Sequence, residues 1–362
     1  MKHWDFLREY KQNKKYYLKK IDDTILSKSL ILGKQVELFE KNASKYVGCK
    51  YGIGVNSGTD ALVISLMALN IKKGDEIITT SNTAIPTISA IVTAGAKPVY
   101  IDIKDNYLVN EDLIEKNISK KTKAIIIVHL YGQSPNMEKI LKISKKFNIR
   151  IIEDCAQSFG AKYKKKKLGS FGSISAFSFY PTKILGTFGD GGLISTNDKK
   201  IYEKCKMLRF YGIKNNYISE FHGVNSRLDE IHAAILNLKL NKINQSISKR
   251  RKIANFYKNN LKNNIIKLPE VLLNNYHVFY NYVIRTKKRN ALKKYLLKNN
   301  IETKIIYPYP VHKMKYYSKF KIGKPNLNNT EKIYKEILSL PIYPEISIKE
   351  LKKIAYFINS FR

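Results

Sequence analysis

The chain has 362 residues, 44% of them apolar, and a formal net charge of +37. That length and apolar content allow two domains with full cores, which excludes a disordered chain or a small disulfide-stapled one. Arg supplies only nine of the 66 basic residues, against the Arg preference of nucleic-acid readers, so the charge predicts weak, salt-sensitive contact with polyanions and no nucleic-acid function.

Residues 1–50 read as helices, with Val36, Phe39, Ala43 and Tyr46 on one face. From 51 to 200, apolar runs at Tyr51–Val55, Glu76–Thr80, Lys97–Ile101, Ala124–Leu130, Arg150–Asp154, Ser173–Tyr180 and Gly192–Thr196 read as strands. Helical patterns at Asp60–Leu69, Thr87–Ala94 and Met137–Phe147 lie between them. The alternation predicts an α/β fold with a largely parallel sheet. Arg227 to about Lys262 reads as one long helical stretch, followed by a strand at Tyr276–Arg285, a helix at Arg289–Asn299 and a strand at Glu302–Tyr307. Thr330–Leu338 and Ile348–Phe357 read as helices. The expected division is a large domain over 1–250 and a small α+β domain over 251–362.

Cys49, Cys155 and Cys205 are too scattered for a zinc site or disulfide framework and fit a reducing cytosol. The N-terminal segment has no signal-peptide core, and no apolar run reaches spanning length, so the expected location is cytoplasmic, away from membranes. No His/Cys/Asp spacing suggests a metal. His129, at the end of an apolar strand, reads equally as a base and as a satisfied buried histidine.

Three segments place polar residues where a parallel sheet presents its carboxyl edge. N-S-G-T-D-A-L (56–62) opens a helix and reads either as a phosphate cradle of free amides and hydroxyls or as an ordinary helix cap. In I-I-E-D-C-A-Q (151–157), an apolar strand ends in Glu153-Asp154, followed by Gln157. In S-A-F-S-F-Y-P-T-K (175–183), Pro181 ends a buried strand and leaves Lys183 just beyond it, in apolar company that favours a nucleophilic amine. Separately each has a bland explanation. In this order they are the parts that pyridoxal phosphate requires: a phosphate cradle, an acid for the pyridine nitrogen and a Schiff-base lysine.

With these motifs the chain resembles the DegT/DnrJ/StrS sugar aminotransferases, which have the type I aminotransferase fold. The resemblance runs through I-L-G-K-Q-V-E-L-F-E (31–40), G-V-N-S-G-T-D-A-L (54–62), K-P-V-Y-I-D-I (97–103), V-H-L-Y-G-Q (128–133), I-E-D-C-A-Q (152–157), F-S-F-Y-P-T-K (177–183), G-V-N-S-R-L-D-E-I (223–231) and Y-P-Y-P-V-H (307–312). It implies that Lys183 carries the cofactor, Asp154 meets the pyridine nitrogen and Gln157 lies near the ring hydroxyl. Gly58, Thr59 and Ser178 would hold the phosphate, and Asn225 would reach it from the neighbouring subunit of a homodimer. Arg227, Tyr309 and His312 are expected at the sugar-nucleotide site.

The resemblance further implies transfer of an amino group from L-glutamate to a nucleotide-linked keto sugar, for surface polysaccharide or a related glycan. Asp190 in G-T-F-G-D-G-G (186–192), with H-L-Y-G-Q and N-S-R-L-D, resembles the branch that aminates C3 of a dTDP-3-keto-6-deoxyhexose. A C4 aminotransferase is the alternative, and a non-catalytic regulator on the same fold is the rival of a different class. One departure stands out. Where many members place an aromatic residue over the cofactor ring, this chain has Ala84.

Overall fold

The computed structural model describes residues 1–362 except 216, 321, 323 and 324. Two helices, α1 (Phe6–Leu26) and α2 (Lys34–Val47), precede a seven-stranded sheet. Its strands are β1 (Tyr51–Val55), β2 (Glu76–Thr80), β3 (Lys97–Ile101), β4 (Thr122–Val128), β5 (Arg150–Asp154), β6 (Ile174–Ser178) and β7 (Gly192–Thr196). The spatial order is β1-β7-β6-β5-β4-β2-β3. Strands β2 to β6 pair in parallel wherever they adjoin. Only β7 runs against its neighbours, antiparallel to both β1 and β6.

The strands are buried on both faces, which is why their sequences read as near-continuous apolar runs. Ile125, Ile127 and Ile151 face a core shared with α2, α5 (Met137–Phe147) and α7 (Glu230–Leu240). Ile126, Ile152 and Ile174 face the opposite core, under α3 (Gly58–Ala68), α4 (Ile85–Thr93) and α6 (Lys199–Leu208). This is the expected α/β sheet, with helices on both faces.

Helix α8 (Ile243–Asn260) runs unbroken through residue 250 and changes company on the way. Ile243 and Ile247 pack in the large-domain core, whereas Ile253, Ala254 and Tyr257 pack in a third cluster. That cluster is built on β8 (Tyr282–Arg285), α9 (Arg289–Lys298), β9 (Ile337–Leu340) and α11 (Ile348–Ser360), with α10 (Asn328–Glu336) leading into β9. Met1 and Trp4 also pack here. Arg8 makes a two-pronged pair with Glu350, at 2.6 and 2.7 Å, so the chain's first residues lie against this third cluster.

Residues 251–362 depart most from the sequence reading. Residues 337–340 form a strand, not the end of a helix, because they pair with Tyr282–Arg285 in antiparallel register. Glu302–Tyr307 forms no ladder. Lys304 makes a single bridge to Ser339, and Pro308 and Pro310 follow immediately. The stretch 227–262 is two helices that break at Asn241–Lys242, and the strand read at Tyr276–Arg285 is split, with Tyr276 paired to Lys162 and only Tyr282–Arg285 pairing with residues 337–340.

Candidate active site

The reversed strand builds the site. Gly192 is in register with both Val55 and Ser178, so the loop leaving β1 and the end of β6 meet across the start of β7. A side chain at Gly192 would put its Cβ 2.3 Å from the Ser57 carbonyl oxygen, and one at Gly58 would sit 2.6 Å from Ser178 Cβ. Ser57 caps α3 by accepting from the Asp60 amide at 3.1 Å. The amides of Gly58 and Thr59, in the first turn, have no acceptor within the helix. With the positive end of the helix dipole they form a seat for an anion beside the Ser178 hydroxyl.

Gly58, Thr59, Asp154, Gln157, Ser178 and Lys183 all line one cavity of about 320 Å³. Asp154 ends β5, almost fully buried. One carboxylate oxygen accepts from the Ala156 amide at 3.1 Å, the other from the Thr87 hydroxyl at 2.8 Å. Gln157 is fixed at both ends. Its Oε1 accepts from the Tyr131 amide and its Nε2 donates to the Tyr307 hydroxyl, each at 2.8 Å. Burial, together with nearby Tyr280 and Asp154, pushes the Tyr307 phenol well up and keeps it neutral. Lys183 closes a turn through Pro181, its amide donating to the Tyr180 carbonyl at 2.8 Å. Its ammonium lies 4.9 Å from the centre of the Tyr280 ring.

Glu153, adjacent to Asp154, has a different environment. It accepts from the amides of Gly169, Phe171 and Gly172 at 2.6–2.9 Å and from His129 Nε2 at 2.9 Å. Burial pushes this carboxyl up, but the His129 ring and the amides outweigh it and hold it below the usual range. His129 and Cys155 bring possible ligand atoms within 4.8 Å of Glu153. The Glu153 oxygens are already committed to amides and to His129, however, and burial keeps the Cys155 thiol protonated.

Four expected residues do not line this cavity. Asn225 is exposed and bridges Phe210 through its backbone, next to Ser226, whose hydroxyl accepts from the Asn56 amide at 3.2 Å. Arg227 lies over the Phe210 ring at 5.2 Å. Tyr309 is 62% exposed. His312 is buried and bonds to Ser81 Oγ and to Glu331 at 3.2 Å. Ala84 stands in the cavity wall, where the aromatic side chains are Tyr180, Tyr280 and Tyr307.

The cavity also contains Thr83, Thr87, Tyr280 and Tyr307, which sequence reasoning did not single out. Three of them had a signal: the two threonines flank Ala84 and Pro86 at a spacing of four, and Tyr307 opens Y-P-Y-P-V-H. Tyr280 had none.

Among the described residues, no helix is long and apolar enough to cross a membrane. The DegT/DnrJ/EryC1/StrS aminotransferase family model matches residues 11–359. A dTDP-3-amino-3,6-dideoxy-alpha-D-galactopyranose transaminase of Aneurinibacillus thermoaerophilus is 45% identical over 332 residues, 91% of each chain. A UDP-N-acetyl-3-dehydro-alpha-D-glucosamine 3-aminotransferase of Acidithiobacillus ferrooxidans is 38% identical over 91% of this chain and 89% of its own. The crystal structure of DesV from S. venezuelae in complex with a ketimine intermediate superposes with a TM-score of 0.95 at 34% identity, covering 98% of this chain and 96% of that one. The chain therefore belongs to the DegT/DnrJ/EryC1/StrS family and is a pyridoxal-phosphate-dependent sugar aminotransferase.

Proposed function

We propose that this enzyme transfers the amino group of L-glutamate to C3 of a dTDP-3-keto-6-deoxyhexose, giving a dTDP-3-amino-3,6-dideoxyhexose. The observation that carries the reading is the convergence of Lys183, Asp154 and the unpaired amides of α3 on one cavity. These residues fit pyridoxal phosphate. The close approach of Gly58 to Ser178 leaves a cradle that a Cβ would fill, and the buried Asp154 carboxylate suits a cationic ring nitrogen.

Bound there, the cofactor supplies a carbonyl carbon that exchanges amines and a ring that accepts the electron pair left behind by a departing proton. The amides of Gly58 and Thr59 and the Ser178 hydroxyl hold the phosphate, and Asp154 keeps the ring nitrogen protonated. Gln157, locked by Tyr131 and Tyr307, would lie beside the ring hydroxyl. Lys183 holds the cofactor at rest. Its Nζ would take the proton from the donor carbon in the first half-reaction and deliver a proton to the sugar carbon in the second.

Amination at C3 is supported by Asp190, which lies in the wall of the same cavity, and by the C3 amino sugar in the name of the 45%-identical relative. The partner subunit's share is supported by the exposure of Asn225 outside its own cavity and by apolar side chains left open at Leu30, Ile31, Leu38 and Ile85.

The test is an assay offering 3-keto and 4-keto dTDP-6-deoxyhexoses, and the matching UDP- and GDP-linked sugars, with glutamate, the products being assigned by NMR. Amination of the dTDP-3-keto sugar is expected, and amination only at C4 or only on another nucleotide overturns the assignment. Lys183→Ala should abolish turnover. Mixing Lys183→Ala with Asn225→Ala protein should recover part of the activity through one intact shared site, and no recovery would remove Asn225 from the partner's site.

A further inference from the structure

Three side chains lie in line at one wall of the cavity. Thr83 Oγ1 is 2.8 Å from Thr87 Oγ1, which is 2.8 Å from Asp154 Oδ2. All three residues are buried. The direction of this chain is fixed by counting protons. A carboxylate oxygen can only accept, so Thr87 spends its single hydroxyl proton on Asp154, and the Thr83 hydroxyl must then donate to Thr87. The other carboxylate oxygen is held by the Ala156 amide at 3.1 Å. The two oxygens are thus tied from opposite sides, one by the turn after β5 and one by the first turn of α4.

Resting on the reading that Asp154 meets the cofactor's ring nitrogen, we propose that Thr87 is a positioning residue for this carboxylate and that Thr83 sets the direction of the Thr87 hydroxyl. The geometry gives a reason for two threonines here. Thr87 stands in the first turn of α4, whose entry is fixed by Pro86 and whose cap, Ala84, offers no side-chain acceptor. Its hydroxyl is therefore free to turn toward the sheet. A carboxylate bound at one oxygen only can rotate about its Cβ–Cγ bond. Bound at both, it presents a fixed lone pair to the ring nitrogen, and orientation of this kind governs rates steeply.

The experiment uses the holoenzyme reconstituted with pyridoxal phosphate carrying 15N in the ring, and reads the nitrogen resonance. Thr87→Val is expected to shift that resonance away from the wild-type position and to slow the glutamate half-reaction about ten- to a hundredfold. Thr87→Ser should restore both, because it keeps the hydroxyl. Thr83→Val, which leaves Thr87 bonded to Asp154 but without its own donor, should give a smaller shift in the same direction.

An unchanged resonance in Thr87→Val overturns the proposal, as does a Thr87→Ser protein that behaves like Thr87→Val, since only packing would then be at stake. If Thr87→Val does not hold cofactor, the serine and Thr83 variants decide: wild-type resonances in Thr83→Val together with a shift in Thr87→Ser would refute the relay. Asp154→Asn separates this outcome from failure of the underlying reading. If its resonance matches the wild type, Asp154 does not meet the ring nitrogen at all.

Discussion

Gly58 and Ser178 lie so close that a Cβ on Gly58 would come within 2.6 Å of Ser178 Cβ. Gly58→Ala must push the β1–α3 loop and the end of β6 apart. Both carry groups proposed above for the cofactor phosphate, so the expected loss falls on cofactor affinity, by about tenfold or more. Equilibrium dialysis of the cofactor measures it, and adding Ser178→Gly should recover part of the loss by making room.

Acid should destabilise the fold through two buried histidines. Burial, with Arg251 nearby, lowers His277 to about 3, and burial, with Lys304 and Arg250, lowers His3 to about 4, from an ordinary 6.5. Between those values the unfolded chain holds protons that the folded one does not, so stability falls as pH drops below 6.5. The slope is about 1.4 kcal/mol per pH unit for each histidine. Glu350, lowered to about 2 by its bond to Arg8, adds stability that is present above 4.5 and lost as pH falls toward 2. Urea unfolding at pH 7, 6, 5 and 4 should show the decline. His277→Asn, which keeps an acceptor for the Phe279 amide now bonded to Nδ1 at 2.9 Å, should flatten it.

Glu230 ties two helices together. Buried at the start of α7, it accepts from the amides of Gly33, Gln35 and Val36, the entry to α2, at 2.8–2.9 Å. Glu230→Ala strands three donors and is expected to cost about 3 kcal/mol or more, whereas Glu230→Gln, retaining one acceptor oxygen, should cost about half of that. Chemical denaturation distinguishes the two, and equal losses would show that shape rather than charge-assisted bonding holds the junction.

Gln157 and Tyr307 join the sheet edge to the segment between α9 and α10, at 2.8 Å. Tyr307→Phe leaves Gln157 Nε2 without its acceptor while preserving the ring. The rise in melting temperature on adding cofactor should shrink, with the cofactor-free melting temperature nearly unchanged. Equal losses in both states would make the bond a general stabiliser instead.

Much of the large domain was legible because its strands obey a local rule. Tyr51–Val55, Arg150–Asp154 and Gly192–Thr196 are apolar runs bounded by polar turns, and the structure keeps those bounds. The small domain hid its strand for a physical reason. Ile333 and Ile337 continue the helical spacing of α10, and only the pairing of Ile337–Leu340 with Tyr282–Arg285 makes these residues a strand. In the site, Lys183 and Asp154 announced themselves by following buried strands. Thr87 offered only its spacing of four from Thr83, because a threonine in a helical first turn looks like any other until the sheet edge opposite it is known. Parallel pairing was readable from the alternation of elements, but the reversal of β7 was not, since direction leaves no mark on an apolar run.

With the phosphate ligands proposed above, that reversal also determines when the enzyme becomes able to capture its cofactor. The anion seat needs the exit of β1 and the end of β6 side by side, and β7, the strand that joins them, is the last of the seven to be made. A ribosome that has released the first six strands has produced every phosphate ligand assigned above within the same subunit, yet no seat. Loading is therefore an event of the completed sheet, and a nascent chain stalled before Gly192 should emerge colourless however much cofactor surrounds it.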